Sequence, residues 1–165
     1  MFIVKFLWMF SMLGYLAVLL LTYLFLPLGV KVFAETDGSP ILSLGREAYF
    51  WVGLGAVLLV NALVQLLGNL TLFLPFSPFP KSGQWMSQPY LRKRLKRNFK
   101  RWLKGLALII NLFLSLSLLH LYTLNDSDVS LNLNLFFYGV GVLFMGWLVF
   151  FFVWFNDPED RMDLG

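Results

Sequence analysis

Four long stretches of the chain contain no charged side chain, and each of them is mostly apolar. They cover residues 6–30, 48–80, 105–125 and 129–156. An α-helix rises about 1.5 Å per residue and needs about 20 apolar residues to cross a hydrocarbon core of about 30 Å. Each stretch is long enough to cross a bilayer once and too short to cross it twice. The pattern therefore predicts an all-α integral membrane protein with four transmembrane helices.

Three prolines set the end of the second span. Pro75, Pro78 and Pro80 each lack a backbone N–H and disfavour helix in the preceding residue, so the second helix is predicted to end near residue 74. The predicted helices form two hairpins in a single transmembrane domain that covers residues 1–165. The approximate spans are 6–30, 48–74, 105–125 and 132–155.

A basic segment, residues 81–104, joins the two predicted hairpins. It carries nine cations and no acidic residue, and long uncharged stretches lie on both sides of it. Loops rich in lysine and arginine stay in the cytoplasm, so this segment orients the helices that flank it. Both termini are then cytoplasmic as well. The predicted location is a bacterial cytoplasmic (inner) membrane.

Apolar residues recur at helical spacing through the basic segment. Steps of four, four, three and four residues separate Leu91, Leu95, Phe99, Trp102 and Leu106. This spacing predicts a basic amphipathic interfacial helix from about residue 90 to residue 104, with its apolar edge dipping into the bilayer from the headgroup plane. The helix is predicted either to bend into the third span or to continue as that span.

The cations of this helix are candidate docking residues for anionic lipid headgroups or for an acidic protein partner. Each cation near an anionic membrane surface contributes about 1 kcal/mol. A simpler interpretation is that the cations only fix the membrane topology. Binding of nucleic acid is not predicted, because the segment has no folded soluble scaffold and its aromatic residues lie on the apolar edge. The docking candidates are Arg92, Lys93, Arg94, Lys96, Arg97, Lys100, Arg101 and Lys104.

Three amide side chains recur at every fourth residue in the second span, namely Asn61, Gln65 and Asn69. This spacing predicts that they lie along one face of the helix. Amides in hydrocarbon need hydrogen-bond partners, which neighbouring helices supply. The set is interpreted as polar packing between helices, or alternatively as the lining of a path for a small solute. The candidate partners are Asn111, Ser115, Ser117 and His120 in the third span and Ser11, Tyr15 and Thr22 in the first.

The composition narrows the chemistry that the chain can perform. Hydrophobic residues make up 59% of the chain and charged residues 13%, which is typical of a membrane protein. Cysteine is absent, so disulfides, thiolate catalysis and iron–sulfur clusters are excluded. His120 is the only histidine, and the sequence has no phosphate-binding loop, zinc-protease motif or dinucleotide fingerprint. The sequence therefore predicts neither an enzyme nor a cofactor or metal site.

Two classes of function fit these features. The first is a non-enzymatic accessory or assembly subunit of a larger membrane complex, which contacts other membrane subunits or a second copy of itself. The alternative is a small homo-oligomeric transporter or channel component in which the polar face of the second helix lines the path. Ion-coupled transport generally needs a titratable group inside the membrane, and the interior of the spans carries no acidic or basic residue. A lipid-modifying enzyme is a third reading, but the acidic clusters near residues 35–47 and 157–160 are typical of loops and tails.

Overall fold

The computed structural model describes residues 2–34, 40–70, 81–126 and 132–156. Four of its helices are long enough and apolar enough to cross a membrane, which confirms the predicted number of such helices. The segment with the three prolines, residues 75–80, lies outside the described residues. Within the described ranges the elements are α1 (Phe2–Phe25), β1 (Gly29–Ala34), β2 (Pro40–Gly45), α2 (Arg46–Leu70), α3 (Ser82–Ser87), α4 (Pro89–Asn125) and α5 (Asn134–Asn156).

The first helix ends earlier than the predicted span 6–30. α1 ends at Phe25, and the backbone N–H of Leu26 donates to the carbonyl of Thr22 at 2.9 Å to close the final turn. Pro27 follows at once, and proline both lacks an N–H and disfavours helix in the residue before it. The chain therefore leaves the helix at this point and enters β1.

A two-stranded antiparallel ribbon, which the sequence analysis did not predict, joins α1 to α2. β1 pairs with β2 so that Gly29 lies opposite Gly45. Both strands are rich in β-branched and large aliphatic residues, which favour extended pairing. The dipeptide Asp37-Gly38 between these two apolar runs is a hairpin signal, and it is the feature of the sequence that could have revealed the ribbon.

The side chain of Asn125, at the end of α4, attaches the ribbon to the helices. Its amide oxygen accepts a hydrogen bond from the backbone N–H of Lys31 at 2.7 Å, and its amide nitrogen donates to the carbonyl of Lys31 at 2.9 Å. The same nitrogen donates to the carbonyl of Leu121 at 2.8 Å, within α4. One side chain thus acts as a strand partner for β1 and fixes the ribbon against α4.

The substitution Asn125→Ala is expected to release β1 from α4, because it removes both hydrogen bonds to Lys31. Two such bonds contribute about 2 kcal/mol, so opening of β1 becomes roughly thirtyfold easier. Hydrogen–deuterium exchange of peptides covering β1 measures this as faster exchange. The control Asn132→Ala removes an exposed amide that accepts a hydrogen bond only from the N–H of Asn134, so it should leave β1 unchanged. Equal exchange of β1 in Asn125→Ala and the wild type would contradict the anchoring role.

α4 lies at the centre of the helical part of the fold. It packs against α1, α2 and α5, and α4 is the only other long helix in the described ranges that α5 packs against. Tyr15 and Leu19 of α1, Val57 of α2 and Leu118 of α4 belong to one buried core. Across this core the hydroxyl of Tyr15 donates to the carbonyl of Gly53 at 2.8 Å. α5 therefore depends mainly on α4 for its position.

The basic segment does not form a separate interfacial helix in front of the third span. α3 covers only Ser82–Ser87, and α4 runs without interruption for 37 residues, or about 55 Å. Pro89 stands in the first turn of α4, where a missing N–H is tolerated. The basic segment therefore continues directly into the third apolar stretch as one helix, which is the second of the two arrangements predicted from the sequence.

Candidate functional site at the basic end of the helices

Asn61 of α2 and Asn111 of α4 form a buried pair of amides between their helices. Asn61 Nδ2 donates to Asn111 Oδ1 at 3.1 Å, and Asn111 Nδ2 donates to Asn61 Oδ1 at 3.4 Å. Asn111 is fully buried and Asn61 is 7% exposed. Buried polar groups are stabilising only when they are paired, and this reciprocal arrangement pairs both amides within the protein.

Trp8 and Ser11 of α1 complete a network that we call the polar centre (Trp8, Ser11, Asn61 and Asn111). The indole N–H of Trp8 donates to Asn61 Oδ1 at 2.7 Å, and Asn111 Nδ2 donates to Ser11 Oγ at 3.1 Å. The hydroxyl of Ser11 donates to the carbonyl of Trp8 at 2.8 Å, and Asn61 Nδ2 also donates to the carbonyl of Val57 at 2.7 Å. Each amide group of the network has a protein partner, so the polar centre joins α1, α2 and α4 without needing water.

Gln65 and Asn69 do not share the buried face of α2 with Asn61. Both are exposed, and the buried residues on this helix are Tyr49, Gly53, Val57, Asn61, Val64 and Gly68. A step of four residues turns a helix about 40° beyond one full turn, so a strict four-residue repeat rotates away from the buried face. Asn69 still contacts α4, since its amide oxygen accepts a hydrogen bond from Lys100 Nζ at 3.3 Å. The prediction that the three amides lie along one contact face of α2 is corrected in this respect.

Two other predicted partners, Ser115 and His120, lie away from the polar centre. The hydroxyl of Ser115 donates to the carbonyl of Asn111 at 2.8 Å, within its own helix. His120 is exposed, and its ring lies edge-on to the ring of Phe137 of α5 with centroids 5.9 Å apart. His120 therefore contributes a ring contact between α4 and α5 near the ribbon end of the molecule.

The apolar edge of the basic segment packs against α3 and α5, which corrects the prediction that it dips into the bilayer. Leu91 and Leu95 of α4 are buried in one cluster with Trp85 of α3 and Phe155 of α5. The indole N–H of Trp85 donates to the carbonyl of Phe155 at 2.9 Å. Phe99 packs against the same cluster. These contacts hold α3 and the end of α5 against the basic part of α4.

Two tryptophans join α4 to α5 beside this cluster. The indole N–H of Trp102 donates to the carbonyl of Trp147 at 3.3 Å, and the indole N–H of Trp147 donates to the carbonyl of Trp102 at 3.2 Å. The ring of Trp147 lies directly on Gly105, where a Cβ atom would overlap Trp147 Cζ2. The contact between the two helices therefore requires glycine at this position.

A cleft between α1 and α4 is lined almost entirely by cations, and we call it the cationic cleft. Its volume is about 330 Å³, and Val4 is its only uncharged lining residue among those described. The carboxylates of the described residues are Glu47 and Asp126, and both belong to the opposite end, near the ribbon. No carboxylate in the described parts of the chain therefore neutralises the cleft. Its charged lining residues are Lys5, Lys96, Arg97, Lys100, Arg101 and Lys104.

Lys104 connects the cationic cleft to the polar centre. Its Nζ lies 5.0 Å from the ring centroid of Trp8, within the range of a cation–π interaction. Lys5 and Lys100 lie close enough to repel the charge of Lys104. The indole of Trp8 thus has a cation on its face and an amide oxygen on its N–H.

Five of the eight predicted docking cations line the cleft, while Arg92, Lys93 and Arg94 do not. Arg92 instead donates from Nε to the carbonyl of Met86 at 2.9 Å. Lys5 lines the cleft but was not among the predicted docking residues. Its signal in the sequence is modest, because it is a single cation just before the first span.

An apolar groove adjoins the cationic cleft between the start of α1 and the end of α5. Its volume is about 300 Å³, and Val4 and Arg101 line both the groove and the cleft. Arg101 Nε is buried and has no hydrogen-bond partner among the described residues. The remaining lining residues of the groove are Ile3, Trp102, Trp147, Phe150 and Trp154.

Comparison of the chain with protein-family models, with curated proteins and with solved structures finds no match. Within the described ranges, no group of three or more histidine or acidic side chains is placed to hold a metal ion. The class of the protein is therefore described from its fold and its site. The described chain has four helices able to cross a membrane, with a cation-lined cleft at one end of them.

Proposed function

We propose that this chain is a non-enzymatic polytopic membrane protein and an accessory or assembly subunit of a larger membrane complex. Its helices cross a bacterial cytoplasmic (inner) membrane as two hairpins, with both termini in the cytoplasm. The basic segment docks lipid headgroups or an acidic partner at that face. Other membrane subunits contact the outer faces of the helices.

The distribution of charge supports this orientation. Lys5 and the nine cations of the basic segment lie at one end of the helices, and no acidic residue of the described parts accompanies them. The ribbon end carries Lys31 and Arg46 together with Glu47 and Asp126. An excess of lysine and arginine marks the cytoplasmic side of membrane proteins. Arg46 is accommodated on the other side by the ring of Tyr23, whose centroid lies 5.2 Å from its guanidinium carbon.

The observation that carries the accessory role is the exposed amide of Gln65. α2 ends at Leu70, so Gln65 lies about 7.5 Å inside the end of the helix, among exposed leucines such as Leu66. An amide in hydrocarbon favours a partner on a neighbouring helix. Gly55 and Ala62 are exposed on the same side of α2, and their small size allows a second helix to approach closely. This face is suited to a helix of another subunit.

The transporter or channel alternative receives less support from the geometry. Its path would run along Asn61, Gln65 and Asn69, yet Asn61 is bonded to Asn111 and Trp8 inside the helix packing. A polar path needs groups that are free to exchange partners with a solute. The amides of the polar centre are already paired, which is the arrangement expected of interhelical packing.

The substitution Gln65→Leu is expected to weaken the association with partner subunits. An interhelical hydrogen bond in a membrane contributes about 0.6 kcal/mol on average and up to about 1.7 kcal/mol, so recovery of partners should fall roughly three- to twentyfold. The measurement is affinity purification of the tagged chain from its native membrane in mild detergent, followed by quantitative mass spectrometry of co-purified proteins. The wild type should carry foreign membrane subunits in fixed stoichiometry.

The control for this experiment is Val153→Leu, which changes an exposed apolar residue on α5 without adding or removing a polar group. It should recover partners as the wild type does. A homo-oligomer without foreign subunits would support the transporter alternative instead. Equal recovery of partner subunits with Gln65→Leu and with the wild type would contradict the proposed role of this amide.

A further inference from the structure

We infer that the cationic cleft and the apolar groove together form a binding site for one anionic phospholipid. The phosphate of the headgroup occupies the cleft, and an acyl chain lies along the groove. Val4 and Arg101, which line both cavities, are the residues past which the lipid runs from one to the other.

The concentration of cations in the cleft favours an anionic ligand. Arg97 and Arg101 are four residues apart on α4, as are Lys100 and Lys104, and like charges at this spacing repel each other on a helix. Lys5 adds another cation from α1. A bound anion would relieve this repulsion. Phosphate suits the site because it accepts several charge-assisted hydrogen bonds at once.

The side chain of Arg101 lines both cavities. Its Nε–H is buried and has no acceptor among the described residues. A buried donor without a partner is costly, and a guanidinium binds phosphate oxygens through pairs of N–H groups. A phosphate in the cleft would supply the missing acceptor.

The groove distinguishes a lipid from an acidic peptide. A peptide carboxylate could neutralise the cleft, but it would leave the groove uncovered. Its walls are the rings of Trp102, Trp147, Phe150 and Trp154 together with Ile3. An anionic headgroup attached to a hydrocarbon chain is complementary to both cavities, in keeping with basic pockets between helices at the cytoplasmic face.

The inference rests on the proposed placement of the basic end at the cytoplasmic face of the bilayer, but it does not require the accessory role. The test uses the purified full-length chain in nanodiscs that contain equal amounts of phosphatidylglycerol and phosphatidylcholine. Native mass spectrometry after transfer to detergent counts the lipids that remain bound. The wild type should retain one phosphatidylglycerol in preference to phosphatidylcholine, whether or not any partner subunit is ever found.

The charge-removal variant Lys5→Gln/Arg101→Gln/Lys104→Gln should lose this preference. Three cations at about 1 kcal/mol each correspond to a loss on the order of a hundredfold in affinity. The matched control Lys81→Gln/Arg92→Gln/Lys93→Gln removes the same charge outside the cleft and should keep the preference. In nanodiscs of phosphatidylcholine alone the charge-removal variant should unfold at the same temperature as the wild type or higher, since it has less repulsion. Addition of phosphatidylglycerol should stabilise only the wild type and the control.

A further experiment distinguishes a phospholipid from free inorganic phosphate as the source of the phosphate that the cleft binds. Ile3 lines the groove but not the cleft, so Ile3→Phe adds bulk to the groove and keeps every cation. It should weaken retention of phosphatidylglycerol while binding of inorganic phosphate stays unchanged. If Ile3→Phe left lipid retention intact, the site would bind the headgroup alone and the groove assignment would be wrong. Equal retention of the two lipids by the wild type, an equal loss in both triple variants, or displacement of the lipid by an acidic peptide would overturn the proposal.

Discussion

Replacing Asn111 with leucine is expected to destabilise the isolated chain by about 1–3 kcal/mol, the cost of leaving buried polar groups without partners. Asn111 is fully buried and bonds to Asn61 and Ser11 on two other helices. Its loss leaves an amide donor of Asn61 without its acceptor on α4. The contact of α1 through Ser11 is lost at the same time. This loss of stability should be among the largest that replacing a single polar residue of the helices causes.

The double variant Asn61→Leu/Asn111→Leu should be less destabilised than the sum of its two single variants. With both amides gone, no amide group is left unpaired in the centre, and only the indole N–H of Trp8 loses its acceptor. The coupling between the two residues should lie near the range of about 0.6–1.7 kcal/mol measured for hydrogen bonds between membrane helices. A pair that acts as helix packing requires such a coupling.

Unfolding of the reconstituted chain by sodium dodecyl sulfate, followed by circular dichroism, measures these free energies. The matched control is Gln65→Leu, which removes an exposed amide from α2, the helix of Asn61. It should change the stability of the isolated chain by less than about 0.5 kcal/mol. Strict additivity of the two single variants would contradict the paired arrangement. A change of solute flux at unaltered stability would favour a polar path over packing.

The number of long helices and the excess of positive charge at one end of them were predictable from the sequence, because both depend on local properties. The distance between charged residues limits the length of an apolar helix, and lysine and arginine keep a segment out of the hydrocarbon. Asn61 could be singled out for the same reason, since an amide in an apolar helix needs a partner. Five of the six cations that line the cleft were predicted as a group, because they recur along one stretch of α4.

The arrangement of these residues in space depends on contacts that local patterns do not contain. Lys5 reaches the cleft only because α1 packs against α4. Gln65 leaves the buried face because each step of four residues turns the helix about 40° beyond a full turn. This excess accumulates along α2. The apolar edge of the basic segment was assigned to lipid because Trp85 and Phe155, which cover it, come from two other parts of the chain.

The substitution Gly105→Ala is expected to displace α5 from α4 and to have the largest effect of any glycine substitution in the described chain. The added methyl carbon would overlap Trp147 Cζ2 and lie 2.9 Å from Cε2, so the rigid ring must move as a whole. Overpacking of this kind costs about 1–3 kcal/mol. A moved ring also gives up the reciprocal hydrogen bonds with Trp102. Apart from the contact of Trp85 with Phe155 at its end, α5 has no second helix in the described structure that would hold it in place.

Because the chain has no cysteine, a single introduced pair reports the separation of the two helices. Phe113 and Phe137, whose ring centroids are 5.7 Å apart, are replaced by cysteine and joined by a short bis-thiol reagent in the otherwise unchanged chain and in the Gly105→Ala chain. The cross-linking yield should fall severalfold with Gly105→Ala.

Two glycines provide matched controls for the added methyl group. Gly141→Ala should leave the yield unchanged, because a Cβ atom there meets no atom within 4 Å. Gly53→Ala should have a mild effect, because its Cβ atom meets the flexible end of Leu19 at 2.7 Å. Adding Trp147→Leu to Gly105→Ala should restore part of the yield by removing the ring. An undiminished yield with Gly105→Ala would mean that the tryptophan contact does not determine the position of α5.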